Sequence, residues 1–169
     1  MHVVPVVTDQ QFEEALALRI AVFVDEQGVD PESERDDIDD DPRTLHALCY
    51  ADTGALLGVG RLVAPGTDTA HGAGTGMGAM SPEVPHIGRV AVGVEGRGTG
   101  AGTAVMAFLE AEALARFGEE GAVRVELSAQ DQAMPFYSRL GYETFGEGYL
   151  DEGIGHHDAF KIVRAPHTP

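Results

Sequence analysis

A chain of 169 residues, 43% apolar, has enough material for one compact core, so the sequence is read as a single domain over 1–169. Its net charge of -17 argues against nucleic acid as a partner, because a phosphate backbone selects lysine and arginine. No apolar run reaches the ~20 residues of a membrane span, and the N-terminus lacks the order of a secretory signal, so a cytoplasmic protein with no membrane partner is expected.

The first element predicted is a helix. Thr8 suits an N-cap, Gln11 stands at the capping-box position, and Val7 with Phe12 occupy the positions of a hydrophobic staple. Phe12, Leu16, Ile20 and Phe23 then follow a helical period that predicts one buried face. From Asp25 to Asp41 ten carboxylates accompany only Arg35, with Gly28 and Pro31 as breakers, which reads as a loop or broken helix on a solvated acidic surface. Thr44 to Ala51 and Ala55 to Val63 read as a hairpin around Asp52-Thr53-Gly54, with Cys49 expected to be a small buried hydrophobe and not a nucleophile. Residues 64–82, rich in Gly, Thr and Ala, are expected to form a mobile loop.

His86 to Val94 reads as a strand, followed by a glycine loop and a helix that buries Val105, Leu109 and Ala113 and ends at Gly118. Val123 to Ala129 is a further strand with Val123, Val125 and Leu127 on one face. A short helix with Pro135 in its first turn and Gly141 as C-cap follows, then strands near Tyr142 to Phe145 and Ala159 to Val163. The order predicts an α/β fold, a mixed sheet with helices packed on it.

The chemistry concentrates in Gly96-Arg97-Gly98-Thr99-Gly100-Ala101-Gly102-Thr103, where a strand feeds through glycines into a helix. Glycines allow close backbone approach, successive N–H groups converge, and the helix dipole favours an anion, so the segment suits a phosphate. A Walker A loop needs a lysine where Thr103 stands. A dinucleotide fingerprint formally fits Gly96, Gly98 and Ala101, but lies past the middle of the chain, leaving too little sequence for the usual sheet.

Val90-Ala91-Val92 followed by Arg97-Gly98-Thr99-Gly100-Ala101-Gly102 resembles the acetyl-CoA signature of the GNAT N-acetyltransferases, and Ala133-Met134-Pro135-Phe136-Tyr137-Ser138-Arg139-Leu140-Gly141-Tyr142 resembles their later A-x-x-F-Y-x-x-x-G-F segment. Leu18 to Gln27, Asp36-Asp37-Ile38-Asp39, Ile87-Gly88-Arg89-Val90 and Asp151-Glu152-Gly153-Ile154-Gly155-His156 are similar to an ElaA-like subgroup, with Gly155 in place of its usual proline. The resemblance implies the GNAT fold, a central mostly antiparallel sheet flanked by helices. It implies an acetyl-CoA cosubstrate whose pyrophosphate lies on Arg97 to Gly102 and whose pantetheine arm pairs with Val90, Ala91 and Val92. It also implies Gln130 and Phe136 beside the CoA arm, Val92 N–H as oxyanion donor, and Tyr137 as general acid and CoA contact.

The general base stays open among Glu26, Glu34, Asp36, Asp37 and Asp39, with Glu26 the tentative choice and His46 or His86 as other proton carriers. Their collective acidity suggests a cationic acceptor. His156-His157 beside Asp151 and Glu152 is the best metal cluster, but neighbours on a strand point to opposite faces, so no metal is expected. The expected partner is a small-molecule or peptide amine, and a homodimer is expected by analogy with the superfamily. A non-catalytic acyl-CoA-binding module, an enzyme using a longer acyl-CoA, and a faint similarity of Arg19 to Phe23 to acyl-homoserine-lactone synthases remain the alternatives.

Overall fold

The computed structural model describes residues 1–67 and 79–167. The expected loop over 64–82 therefore falls largely outside the described residues. Among the described residues the strands and α-helices run in the order β1 (His2–Pro5), α1 (Asp9–Arg19), α2 (Pro31–Glu34), β2 (Leu45–Tyr50), β3 (Leu56–Val63), β4 (His86–Val92), α3 (Ala101–Phe117), β5 (Ala122–Gln130), α4 (Met134–Arg139), β6 (Glu143–Asp151) and β7 (Ile154–Arg164), with a π-helical stretch Ile20–Glu26 prolonging α1. The strands hydrogen-bond in the order β1-β2-β3-β4-β5-β7-β6. The β4–β5 ladder is parallel and consists of the single pair His86↔Glu126, while β1–β2, β2–β3, β5–β7 and β6–β7 are antiparallel. This is the mixed α/β sheet that the sequence predicts.

The chain forms two compact units, one of Met1–Val63 with Ile87–Leu109 and one of Ala64–His86 with Glu110–Pro169. In the first unit the capping box forms as read: Gln11 N–H donates to Thr8 Oγ1, and the Gln11 side chain accepts from Thr8 N–H. The staple does not, because Val7 is 77% exposed; Phe12 instead meets the His46 ring edge-on at 5.2 Å and lies under the Arg35 guanidinium. The buried face is also offset from the one predicted. Ala15, Arg19 and Val22, at i, i+4 and i+7 of a helical period, are buried while Ile20 is exposed, because the face turned inward carries the arginine and small residues and not the larger apolar ones. The core joins Ala15, Val22, Leu48, Val59 and Ala91.

Gly58 and Gly60 on β3 admit α3. A Cβ on Gly60 would lie 2.8 Å from both Leu109 Cδ1 and Val105 Cγ1, so the glycines let the first half of α3 approach β3 closely. Strand β1 is missing from the sequence reading, since four residues ending in proline carry no period of their own. In the second unit, Val123, Val125, Leu127 and Ala129 alternate into the interior of β5 as expected, and Ala113 is buried on α3. The closing strands β6 and β7 are longer than predicted, because their polar and glycine-rich ends are held by the ladder and not by a hydrophobic pattern.

Candidate active site

After β4 the chain makes a tight turn, Val94–Gly96, seated on β3. Gly93 N–H donates to Leu57 O at 2.9 Å, and a Cβ on Gly96 would stand 2.5 Å from the same carbonyl. Close packing therefore demands glycine at 96. At Gly98 and Gly100 the demand is conformational, with φ of +74° and +89° and no crowding within 4 Å beyond a Met1 methyl at the limit. Thr99 Oγ1 donates to Gly96 O and accepts from Ala101 N–H, and Ala104 N–H closes the first helical bond to Gly100 O. The first-turn N–H groups of Gly102 and Thr103 have no intrahelical acceptor, so they and the α3 dipole present a site for an anion. Open space over two left-handed glycines at the start of a 17-residue helix fits a pyrophosphate.

Arg97 does not reach toward open solvent alone: its Nη2 donates to Glu26 Oε2 at 2.6 Å, both side chains being partly exposed. Ala91 is buried in the core, and Val90 and Val92 lie over Gly60 and Gly58 of β3. The three signature residues of β4 thus stand beside the loop within one unit, together with Glu26.

The acidic stretch is the solvated surface that composition predicts at Asp25, Glu26, Asp30, Glu32, Asp37 and Asp40, but not at Glu34 and Asp39. Glu34 and Asp39 are 3% and 7% exposed. Arg19 donates to Glu34 Oε1 at 2.7 Å and to Asp39 at 2.9 and 3.1 Å, and Arg61 bonds Asp36 at 2.7 Å and Asp39 at 2.9 Å. Arg89 joins from β4, 3.5 Å from Glu34 and 3.3 Å from Asp36. Burial opposes charge on Asp39, but the hydrogen bond from Arg19 and the charge of Arg61 outweigh it and hold the carboxyl well below the usual carboxylate range. Three arginines balance three carboxylates, so Glu34, Asp36 and Asp39 are counterions. Of the carboxylates credited with attracting a cationic acceptor, these three are neutralised by the arginines, and Glu26 and Asp37 are the exposed ones.

The sequence reading overlooked this network. Its signal was present: Arg19 is in phase with Ala15 and Val22, and an arginine on a buried face requires buried partners. Arg89 also adopts φ +51°, a left-handed conformation uncommon outside glycine, at the middle of β4. His46 is buried beside Asp39, its ring nitrogen 3.3 Å from the Asp39 carbonyl, and desolvation lowers its pKa. Cys49 is buried and unpaired, and burial raises its thiol pKa.

The second unit carries the other predicted residues. Tyr137 on α4 is buried between Phe136 at 5.0 Å and Tyr142 at 6.0 Å, both edge-on. Its hydroxyl has no hydrogen-bond partner among the described residues, and burial pushes its pKa up to about 12. Gln130 ends β5, its Oε1 accepting from Gln132 Nε2. His156 and His157 diverge as strand geometry requires, with Nδ1 on Ile154 O and on Asp131 Oδ1 respectively. Among the described residues no group of three or more His, Cys, Asp or Glu is placed to hold a metal ion, and no helix is long and apolar enough to cross a membrane. His86 Nε2 meets Ser81 O at 2.7 Å and lies 3.9 Å from the buried Glu126 carboxylate.

The family model of the acetyltransferase (GNAT) domain matches residues 3–161. The chain belongs to the GNAT family. An uncharacterized N-acetyltransferase of Bacillus subtilis, YjcF, is 31% identical over 149 residues, 88% of this chain and 90% of that one. An acyl-CoA N-acyltransferase structure from Pseudomonas aeruginosa superposes with TM-score 0.73 at 26% identity, covering 94% and 97% of the two chains. Escherichia coli ElaA shares the fold, with TM-score 0.75 at 23% identity over 95% and 99%. As a GNAT member the protein is an acyl-CoA-dependent N-acyltransferase, acting on an amine acceptor.

Proposed function

We propose that this GNAT enzyme is cytoplasmic and moves an acetyl group from acetyl-CoA to a primary amine of a small molecule or peptide, by direct attack of the amine on the thioester. The observation that carries catalysis over mere acyl-CoA binding is Tyr137, whose ring is buried while its hydroxyl stays protonated at neutral pH and has no partner among the described residues. A tyrosine that buries its ring normally hands its hydroxyl to a neighbour; one with no protein partner is available to water or to a substrate atom.

In this reading the loop from Arg97 to Gly102 binds the pyrophosphate through backbone N–H groups. Val90 to Val92 pair with the pantetheine amides as an added strand would, and Gln130 and Phe136 contact the CoA arm. Val92 N–H stabilises negative charge developing on the thioester oxygen. The amine nitrogen forms the new C–N bond as the C–S bond breaks, and Tyr137 gives a proton to the departing sulfur. Glu26 accepts the proton from the amine; with Glu34 and Asp39 buried against arginines, it is the carboxylate of the stretch nearest the loop that retains exposure.

Calorimetric titration with acetyl-CoA, longer acyl-CoAs, CoA and NAD, followed by a primary-amine screen with thiol detection, tests the reading. Acetyl-CoA binding and amine-dependent thiol release are expected, with kcat in Tyr137→Phe lowered by roughly 10²–10⁴. Binding of NAD but no CoA species would overturn it, and preference for a longer acyl-CoA would replace the donor.

A further inference from the structure

Helix α4 has six residues, far fewer than helical hydrogen bonding needs to sustain itself in water, yet it carries Tyr137. Its support lies outside the helix. The Tyr137 carbonyl accepts from Leu140 N–H at 3.0 Å and Tyr142 N–H at 3.1 Å, and Gly141, at φ +93°, reverses the chain between them. That reversal brings the Tyr142 ring edge-on to Tyr137, 6.0 Å between centroids and 78° between planes.

Tyr142 is itself fixed from behind. Its hydroxyl donates to Glu110 Oε1 at 3.0 Å, and Glu110 Oε2 accepts from Lys161 Nζ at 2.7 Å. The Lys161 stem crosses the turn, since a Cβ on Gly141 would lie 3.7 Å from Lys161 Cε, and its ammonium stands 5.7 Å from the Tyr142 ring centroid. Lys161 is the only lysine in a sequence with ten arginines. A slim unbranched stem with a compact charge passes over Gly141 where a planar guanidinium fork is bulkier.

We propose that Glu110, Lys161 and Tyr142 form a clamp that positions Tyr137 for acyl transfer. The clamp rests on the reading of Tyr137 as general acid, and its members act through the Tyr142 ring and the Gly141 turn as positioning residues. A ring held on two sides by aromatic edges and by its own carbonyl keeps one orientation. Loss of the clamp frees the α4 turn while leaving the acyl-CoA loop of the first unit untouched.

Lys161→Met keeps the stem and removes the charge, and Tyr142→Phe keeps the ring and removes the hydroxyl. With acetyl-CoA and the best primary amine of the screen, kcat is expected to fall about tenfold in each, within the ~10²-fold that misplacement of a reacting group can cost. The acetyl-CoA KM stays within about twofold, because uniform binding is not altered. Neither substitution lowers kcat further in a Tyr137→Phe background, since residues acting through one group are not additive.

A second readout needs no acceptor. Chain labelled with 3-fluorotyrosine carries four tyrosine fluorines by sequence. The Tyr137 line, identified by its loss in Tyr137→Phe, is expected to be single and sharp, and to shift toward the free amino acid or split in both clamp variants. Equal kcat losses with and without the Tyr137 hydroxyl, or an unmoved Tyr137 line in both variants, overturns the clamp alone. Full kcat in Tyr137→Phe overturns the general-acid reading and the clamp with it.

Discussion

Replacing Asp39 by Asn isolates the energetic role of the buried charge network. Asp39 accepts from Arg19 at 2.9 and 3.1 Å and from Arg61 at 2.9 Å, and its carboxylate has no solvent exposure. Removing one partner of a buried pair costs about 3–5 kcal/mol, because the other charge stays desolvated. Arg19 keeps Glu34 and Arg61 keeps Asp36, each at 2.7 Å, and asparagine retains one acceptor oxygen, so the lower bound of about 3 kcal/mol applies. For a chain of this size that corresponds to a Tm lower by about 6–12 °C. Urea titration at pH 7 followed by circular dichroism measures it, with Asp40→Asn as control. The Asp40 pair with Arg35 is largely exposed and is worth under about 1 kcal/mol. Asp39 has a lowered folded-state pKa, so its stabilisation is complete above ~3.9 and declines as pH falls toward the folded value. The gap between parent and Asp39→Asn must therefore narrow in strong acid. A loss at pH 7 no larger than the control's would refute the network as a source of stability.

His46 supplies a second, milder acid limb. Its folded pKa is lowered by desolvation, so the unfolded chain takes up the proton first and stability falls as pH drops below ~6.5; His46→Gln should flatten the change in urea midpoint between pH 7.5 and 5.5. Gly96→Ala forces a Cβ to 2.5 Å from the Leu57 carbonyl and should cost about 1–3 kcal/mol while weakening CoA binding, read by thermal shift and calorimetry. Glu26→Gln releases Arg97 from its 2.6 Å pair. CoA should then bind up to about fivefold more tightly at low salt, the scale of a partly exposed pair, while kcat falls if Glu26 is the base. Unchanged kcat would pass that role elsewhere.

Elements with a period or a punctuating residue were legible in the sequence. Thr8 and Gln11 announced α1, Val105, Leu109 and Ala113 announced the buried face of α3, and Gly141 announced the end of α4. Charge patterning misled where partners came from distant sequence. Glu34 and Asp39 read as surface because Arg19, Arg61 and Arg89 lie on other elements, and only the chain's path brings them together. The offset on α1 has the same source, because the buried face is the one that carries Arg19, whose partners lie far along the chain. The glycine loop after β4 was legible as a loop because its glycines have two separate causes, close packing at Gly96 and left-handed backbone at Gly98 and Gly100.

The solitary lysine has a chemical corollary. Thioesters acylate exposed neutral amines without help, and a protein that lives beside an acyl-CoA is its nearest target. Here the one side-chain amine donates to the Glu110 carboxylate, while ten guanidinium groups supply positive charge in a form that thioesters leave alone. The enzyme's own surface is thus almost inert to the reagent it handles, and acyl groups found on it by mass spectrometry would have few places to reside.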